Sequence, residues 1–307
     1  MKRIQNRIAE SRWALPTTAA YGILVCLAAG MFSIGHLLET VLLLVATLMM
    51  VELNNSNSLI RIYSRMVSCS FLVMTTMSSF LLSSPEAGMV QVAFIAFLLL
   101  IFKAYQDKEA AGWVFYAFFA IGLGSIVFVQ LLYFVPILWI LLGTNILALS
   151  GRTFLASIIG LIAPYWFVGA YYILTGHLEV LASHFMTLAQ LGEPLAIATL
   201  GEHRLVTLLF ILLIAVISSV HFILYSYKDK IRIRMIYEML ITLDTCCFIF
   251  ILLQPQHADM LLSMSIVTTA PLCGHLLALS HTRLSNVFFF VTIAVAVAIT
   301  AYNLWMP

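Results

Sequence analysis

The sequence predicts an all-α polytopic membrane protein of about eleven transmembrane helices, and three observations predict it. Of its 307 residues, 63% are hydrophobic and 9% charged, with a mean hydropathy of +1.07, whereas soluble chains carry roughly a quarter charged residues. Apolar runs long enough to cross a bilayer recur along the whole chain, so the apolar surface belongs to a bundle and not to one anchor. Lys and Arg fall in clusters between those runs and not inside them. Runs such as LLFILLIAVISSV lack the alternation of a β-barrel strand, and a net charge of +2 argues against a nucleic-acid partner.

Taken in order, spans are expected at about 17–35, 38–53, 66–83, 89–105, 112–130, 133–149, 153–175, 204–226, 236–254, 260–280 and 286–303, from the roughly 20-residue length that a crossing needs. They form one transmembrane domain over 1–307, which includes a cytoplasmic basic N-terminal segment at 1–16. The stretch TTAAYGILVCLAAGMF resembles a signal peptide, but no A-x-A cleavage site follows it, and an uncleaved first span is expected. With the N-terminus cytoplasmic, Lys2, Arg3, Arg7, Arg12, Arg61, Arg65, Lys103, Lys108, Arg152, Lys228, Lys230, Arg232, Arg234 and Arg283 all lie inside, which is 14 of the 15 basic residues. Arg204 alone falls outside. The positive-inside rule thus supports both the span count and the orientation, and a bacterial inner membrane is the expected location.

One long outer loop remains, 176–203. Leu178, Leu181, Phe185, Leu188 and Leu191 recur at helical spacing there, and predict an amphipathic helix over about 178–192 lying on the membrane surface. The five cysteines, Cys26, Cys69, Cys246, Cys247 and Cys273, sit in apolar runs without metal or redox spacing.

The expected outer face collects His36, Glu39, Glu86, His177, Glu179, His184, Glu193, Glu202, His203, Arg204, His257 and Asp259. The positive-inside rule by itself empties such loops of bases. The functional reading is a polar pocket with Glu39 as general base and with His36, His203 and Arg204 as contacts for an anionic, lipid-linked substrate. His36 and Glu39 lie one helical turn apart and share a face. No metal spacing occurs among them.

Within the spans the costliest residue is Asp244, about 12 Å deep at 1.5 Å per residue. It is a candidate for proton coupling in transport, or else structural glue between helices. Thr242, Thr245, Gln130, Asn145, Thr268 and His275 are its candidate partners. The loop YKDKIRIR reads as an anchor to anionic headgroups. Ala156, Gly160 and Pro164, with Gly122 and Gly124, read as close helix packing.

The stretches GWVFYAFFAIGLGSIVFVQLLYFVPILWILLG and SGRTFLASIIGLIAPYWFVGAYYIL, with NNSNSLIRIYSR at 54–65, resemble an uncharacterised family of bacterial multispan inner-membrane proteins. More distantly they are similar to GT-C type glycosyltransferases that use polyprenyl-phosphate sugars. That resemblance implies an enzyme acting on a lipid-linked glycan or another envelope precursor, with an acidic motif in the first outer loop. Here only His36 to Glu39 fills that place, and the paired acids are missing. The alternatives are a proton-coupled transporter or flippase using Asp244, and a non-catalytic scaffold subunit of an envelope complex. Neither a cofactor nor a protein partner is implied by the residues.

Overall fold

The computed structural model describes residues 3–197 and 200–306. Lys2, two positions of the expected outer loop (Ala198 and Thr199) and the final Pro307 lie outside the described residues. Fourteen α-helices make up the fold among the described residues: α1 Ile4–Ala9, α2 Ala14–Ala28, α3 Leu37–Asn57, α4 Met66–Met77, α5 Ser79–Leu82, α6 Pro85–Ile101 and α7 Ala111–Val127. They continue with α8 Val135–Thr144, α9 Gly151–Thr175, α10 Leu178–Met186, α11 Glu202–Tyr225, α12 Ile231–Leu253, α13 Ala258–Leu279 and α14 Arg283–Trp305. This is a multispan membrane protein in contact with a lipid bilayer.

Among the described residues seven helical segments, including short 3₁₀ extensions, are long and apolar enough to cross, fewer than the eleven expected: 34–57, 85–104, 151–175, 202–228, 231–253, 255–279 and 283–305. Each matches an expected span. The other four expected spans coincide with shorter helices, α2 of 15 residues, α4 of 12, α7 of 17 and α8 of 10. Local backbone explains the shortening. Gly30 takes a left-handed φ of 71° just after α2, a conformation that glycine adopts without steric cost. Ser78 (φ −87°, ψ 63°) separates α4 from α5, and Phe128 (φ −132°, ψ 89°) stops α7 before a 3₁₀ stretch at 129–134. Pro136 then opens α8, where its missing N–H costs nothing.

The chain divides into two compact units, residues 1–88 with 194–307, and residues 89–193. In the first, α4 and α13 form the core. Every residue of α4 except Val73 is buried, as is every residue from Leu261 to Ser280. The two helices meet at Gly274, where a Cβ would come within 2.8 Å of the Val67 backbone nitrogen, so only glycine fits. Short α1 hooks onto the far end of α13: Gln5 Nε2 donates to the Leu277 carbonyl (2.7 Å) and to Ser280 Oγ (3.0 Å), and Asn6 Nδ2 to the Ser280 carbonyl (3.1 Å). These side chains satisfy carbonyls that a helix C-terminus leaves open. A capping box between Thr282 and Ser285 then starts α14.

Helix directions sort the charges of this unit. Arg3, Arg7, Arg12, Arg61, Arg65, Lys228, Lys230, Arg232, Arg234 and Arg283 gather at one end, called the basic end below. His36, Glu39, Glu202, His203, Arg204, His257 and Asp259 occupy the opposite end.

In the second unit α7 and α9 pack closely along the small-residue faces that the sequence singles out. A Cβ on Gly122 would lie 2.7 Å from the Leu161 carbonyl, and one on Gly160 would strike the Phe115 carbonyl. Tyr165 donates to Ser125 Oγ (2.8 Å) and Trp139 Nε1 to Ser157 Oγ (2.9 Å). Lys103, Lys108 and Arg152 lie at one end, where Arg152 pairs with Glu109. The amphipathic helix expected over about 178–192 is present as α10, but its helical course ends at Ala189 with a 3₁₀ turn and not at residue 192. None of its residues is buried. It leans on α9 through Phe185 against Tyr165, while His184 Nε2 donates to the Ser125 carbonyl at 3.1 Å.

Candidate functional site

At the basic end of the first unit, the C-terminal turns of α11 and α13 and the start of α14 surround a cavity of about 630 Å³. Val216, Val220, Leu224, Leu284 and Phe288 give it apolar walls, and Arg61, His221, Lys228, Asp229 and His275 line its polar side. Asp229 ends the short turn after α11 and is turned inward. Its side chain is 4% exposed and that of His275 2%, and His275 Nε2 lies 3.1 Å from Asp229 Oδ2. Arg61 Nη1 stands 4.0 Å from the other Asp229 oxygen and donates to the Lys228 carbonyl at 3.4 Å.

A carboxylate only accepts, so the Nε2 of His275 carries the hydrogen of that bond. With one proton on the ring, Nδ1 is then a bare acceptor. It is buried and has no partner, and His221 Nδ1 is likewise buried without one. An unmet buried acceptor costs about 1–3 kcal/mol unless a water or a ligand supplies the donor. The His275 ring is held by Phe222 and Tyr237, each with its centroid 5.1 Å away, and by His221 at 6.1 Å. The Tyr237 hydroxyl, also buried, reaches the Leu59 carbonyl at 3.4 Å and the Pro271 carbonyl at 3.3 Å.

A second, more polar space of about 710 Å³ adjoins it between residues 54–64 and 228–233, and shares Arg61, Lys228 and Asp229 with the first. Arg232 Nη2 donates to Asn57 Oδ1 (3.1 Å) and Arg65 Nη1 to Asn55 Oδ1 (3.2 Å). Asn54 donates to the Ser64 carbonyl (3.0 Å), while its own buried oxygen has no partner. A cavity with apolar walls, two cations at the rim and unmet polar atoms suits an amphiphile with an anionic head.

The residues singled out in the sequence are placed as follows. His36 Nδ1 and Glu39 Oε1 are 3.4 Å apart, with Glu39 nearly buried and its second oxygen without a partner. Arg204 pairs with Asp259 at 3.1 Å, and Arg204 and His203 both lie against the Phe80 ring, at 5.4 and 5.8 Å. No hydrogen bond, ion pair or ring contact joins the His36–Glu39 pair to the His203–Arg204 pair among the described residues. Asp244 is buried and its Oδ1 accepts from Thr268 (2.7 Å) and Thr269 (3.0 Å). Thr268 is thus among the expected partners and Thr269 is additional. Thr242 and Thr245 turn instead to the Glu238 and Ile241 carbonyls of their own helix. Gln130 is buried in the second unit, and His275 serves Asp229 and not Asp244.

Among the described residues no group of three or more His, Cys, Asp or Glu side chains has the placement to hold a metal ion. Asp229 is the cavity-lining residue that sequence reasoning passed over. Its signal was a lone acid among the four bases of YKDKIRIR, with His221 and His275 each near the end of a span.

No known protein family, curated protein or solved structure matches the chain. The expected resemblance to an inner-membrane family and to glycosyltransferases thus finds no support in these comparisons.

Proposed function

We propose that the protein is a membrane transporter or flippase that takes an anionic amphiphile, such as a lipid-linked envelope precursor, into the cavity at its basic end. The observation that carries this is the joining of apolar walls, formed by α11 and α14, to a polar side that holds Arg61, Lys228 and a buried acid–histidine pair. Acyl or prenyl chains fit the first surface and an anionic head the second. In this reading the chain crosses a bacterial inner membrane eleven times, the short helices included, and its N-terminus and basic end face the cytoplasm. Anionic lipids attract such a rim from that leaflet, by about 1 kcal/mol per nearby base.

Asp244 would then be a coupling carboxyl in mid-membrane, because an ionisable group at that depth is retained at a cost. The test is translocation of fluorescent phosphatidylglycerol in proteoliposomes, read by dithionite quenching. Wild-type protein is expected to expose inner-leaflet label to the quencher, and Val220→Trp, which fills the cavity from an exposed position, is expected to stop it. Exposure no faster than in protein-free liposomes would refute the proposal.

A second reading places chemistry at the opposite end, with Glu39 as general base and His36, His203 and Arg204 as phosphate contacts of a glycosyltransferase-like enzyme. The observation that favours it is the unpartnered, buried Oε2 of Glu39 beside His36. Transfer from a lipid-linked sugar that survives Glu39→Gln unchanged would exclude it.

A further inference from the structure

We infer that the Asp229–His275 pair is a recognition site for a hydroxyl group on the ligand's head, so that the cavity selects hydroxylated anionic amphiphiles, glycerol- or sugar-bearing, over anionic ones without a hydroxyl. This rests on the reading of the cavity as an amphiphile site. The geometry makes the step. Asp229 occupies Nε2 of His275 at 3.1 Å, which leaves Nδ1 as the ring's unpartnered position, itself buried, on a side chain that lines the cavity. The rings of Phe222 and Tyr237 hold the imidazole in place, so it is oriented before a ligand arrives. Arg61 and Lys228 at the same rim supply the positive charge for a phosphate. A hydroxyl one or two carbons from that phosphate would donate to Nδ1 and supply the missing bond. His221, whose own Nδ1 is unmet on the same wall, offers a second position for a polyol. An anionic head with no hydroxyl satisfies the cations but leaves both imidazoles as they are.

The experiment is native mass spectrometry of the full chain in detergent, titrated with dioleoyl-phosphatidylglycerol and, separately, with dioleoyl-phosphatidylethanol, which has the same charge and chains but no hydroxyl. The wild type is expected to bind the glycerol lipid about fivefold or more tightly, the worth of one buried hydrogen bond. His275→Leu is expected to remove that preference by weakening the glycerol lipid alone. Equal affinities in the wild type would overturn the inference while leaving the amphiphile site standing. Binding of neither lipid would overturn both. Should His275→Leu not fold, ¹⁵N-histidine NMR of the wild type decides: phosphatidylglycerol is expected to move the His275 Nδ1 resonance and phosphatidylethanol is not, and a resonance that neither or both move would overturn it.

Discussion

Each end of the first unit carries an acid paired with a base at 3.1 Å, yet the two pairs differ in what surrounds them. His275–Asp229 at the basic end is 2% and 4% exposed, whereas Arg204–Asp259 at the opposite end is 41% and 32% exposed. Distance alone would rank them equal. Exposed pairs contribute little because water and salt screen them, while a buried pair that loses one member leaves the other without solvent or partner. The buried pair also lines a cavity and leaves an imidazole nitrogen unmet, whereas both members of the exposed one already have their partners. Burial, more than the presence of charge, is what separates the two pairs.

That contrast can be broken by mutation. Asp229→Ala is expected to have the largest effect, a loss of about 3 kcal/mol of stability in detergent, because it strands His275 in the core. A double-mutant cycle sharpens it: coupling between Asp229 and His275 is expected at about 2 kcal/mol, and between Arg204 and Asp259 at under about 0.5 kcal/mol. Equal couplings would erase the distinction. Asp244→Asn is expected to cost about 1 kcal/mol, since Thr268 and Thr269 both donate to one oxygen that an amide retains. Arg204→Ala is expected to be smallest, within about 0.5 kcal/mol. Thermal unfolding in one detergent at one lipid content measures all of these.

Much of the architecture could be read from residue patterns, because bilayer thickness and charge asymmetry act on every span alike. Seven of the eleven expected spans fall on helices long and apolar enough to cross, and the other four fall on shorter helices that leave the count of eleven unconfirmed. Helix length was less legible. Nothing in SFLVMTTMSSFLL marks Ser78 as a break, since a tertiary contact and not a propensity sets it: Asn303 Nδ2 donates to the carbonyl of Met77 next door at 2.7 Å.

The site was legible only in pieces. His275 stood among the partners expected for Asp244, but Thr268 and His275 are seven residues apart on α13, about 10 Å along the axis. When Thr268 reaches Asp244, His275 must therefore be near the helix end, where Asp229 meets it. Asp229 itself was hidden by its neighbours, since YKDKIRIR reads as a basic loop until the fold turns its one acid inward. At the other end, spacing correctly paired His36 with Glu39, yet gave no means of knowing that Arg204 is occupied by Asp259.

The central claim is that an anionic amphiphile lodges between α11 and α14 at the basic end. It is tested most directly by photo-crosslinking a diazirine-tailed phosphatidylglycerol to the protein in nanodiscs and mapping the adducts by peptide mass spectrometry. The account predicts adducts concentrated on residues 216–224 and 284–288 that disappear in Val220→Trp. Labelling spread evenly over the exposed faces of all the long helices, and unchanged in that variant, would contradict it.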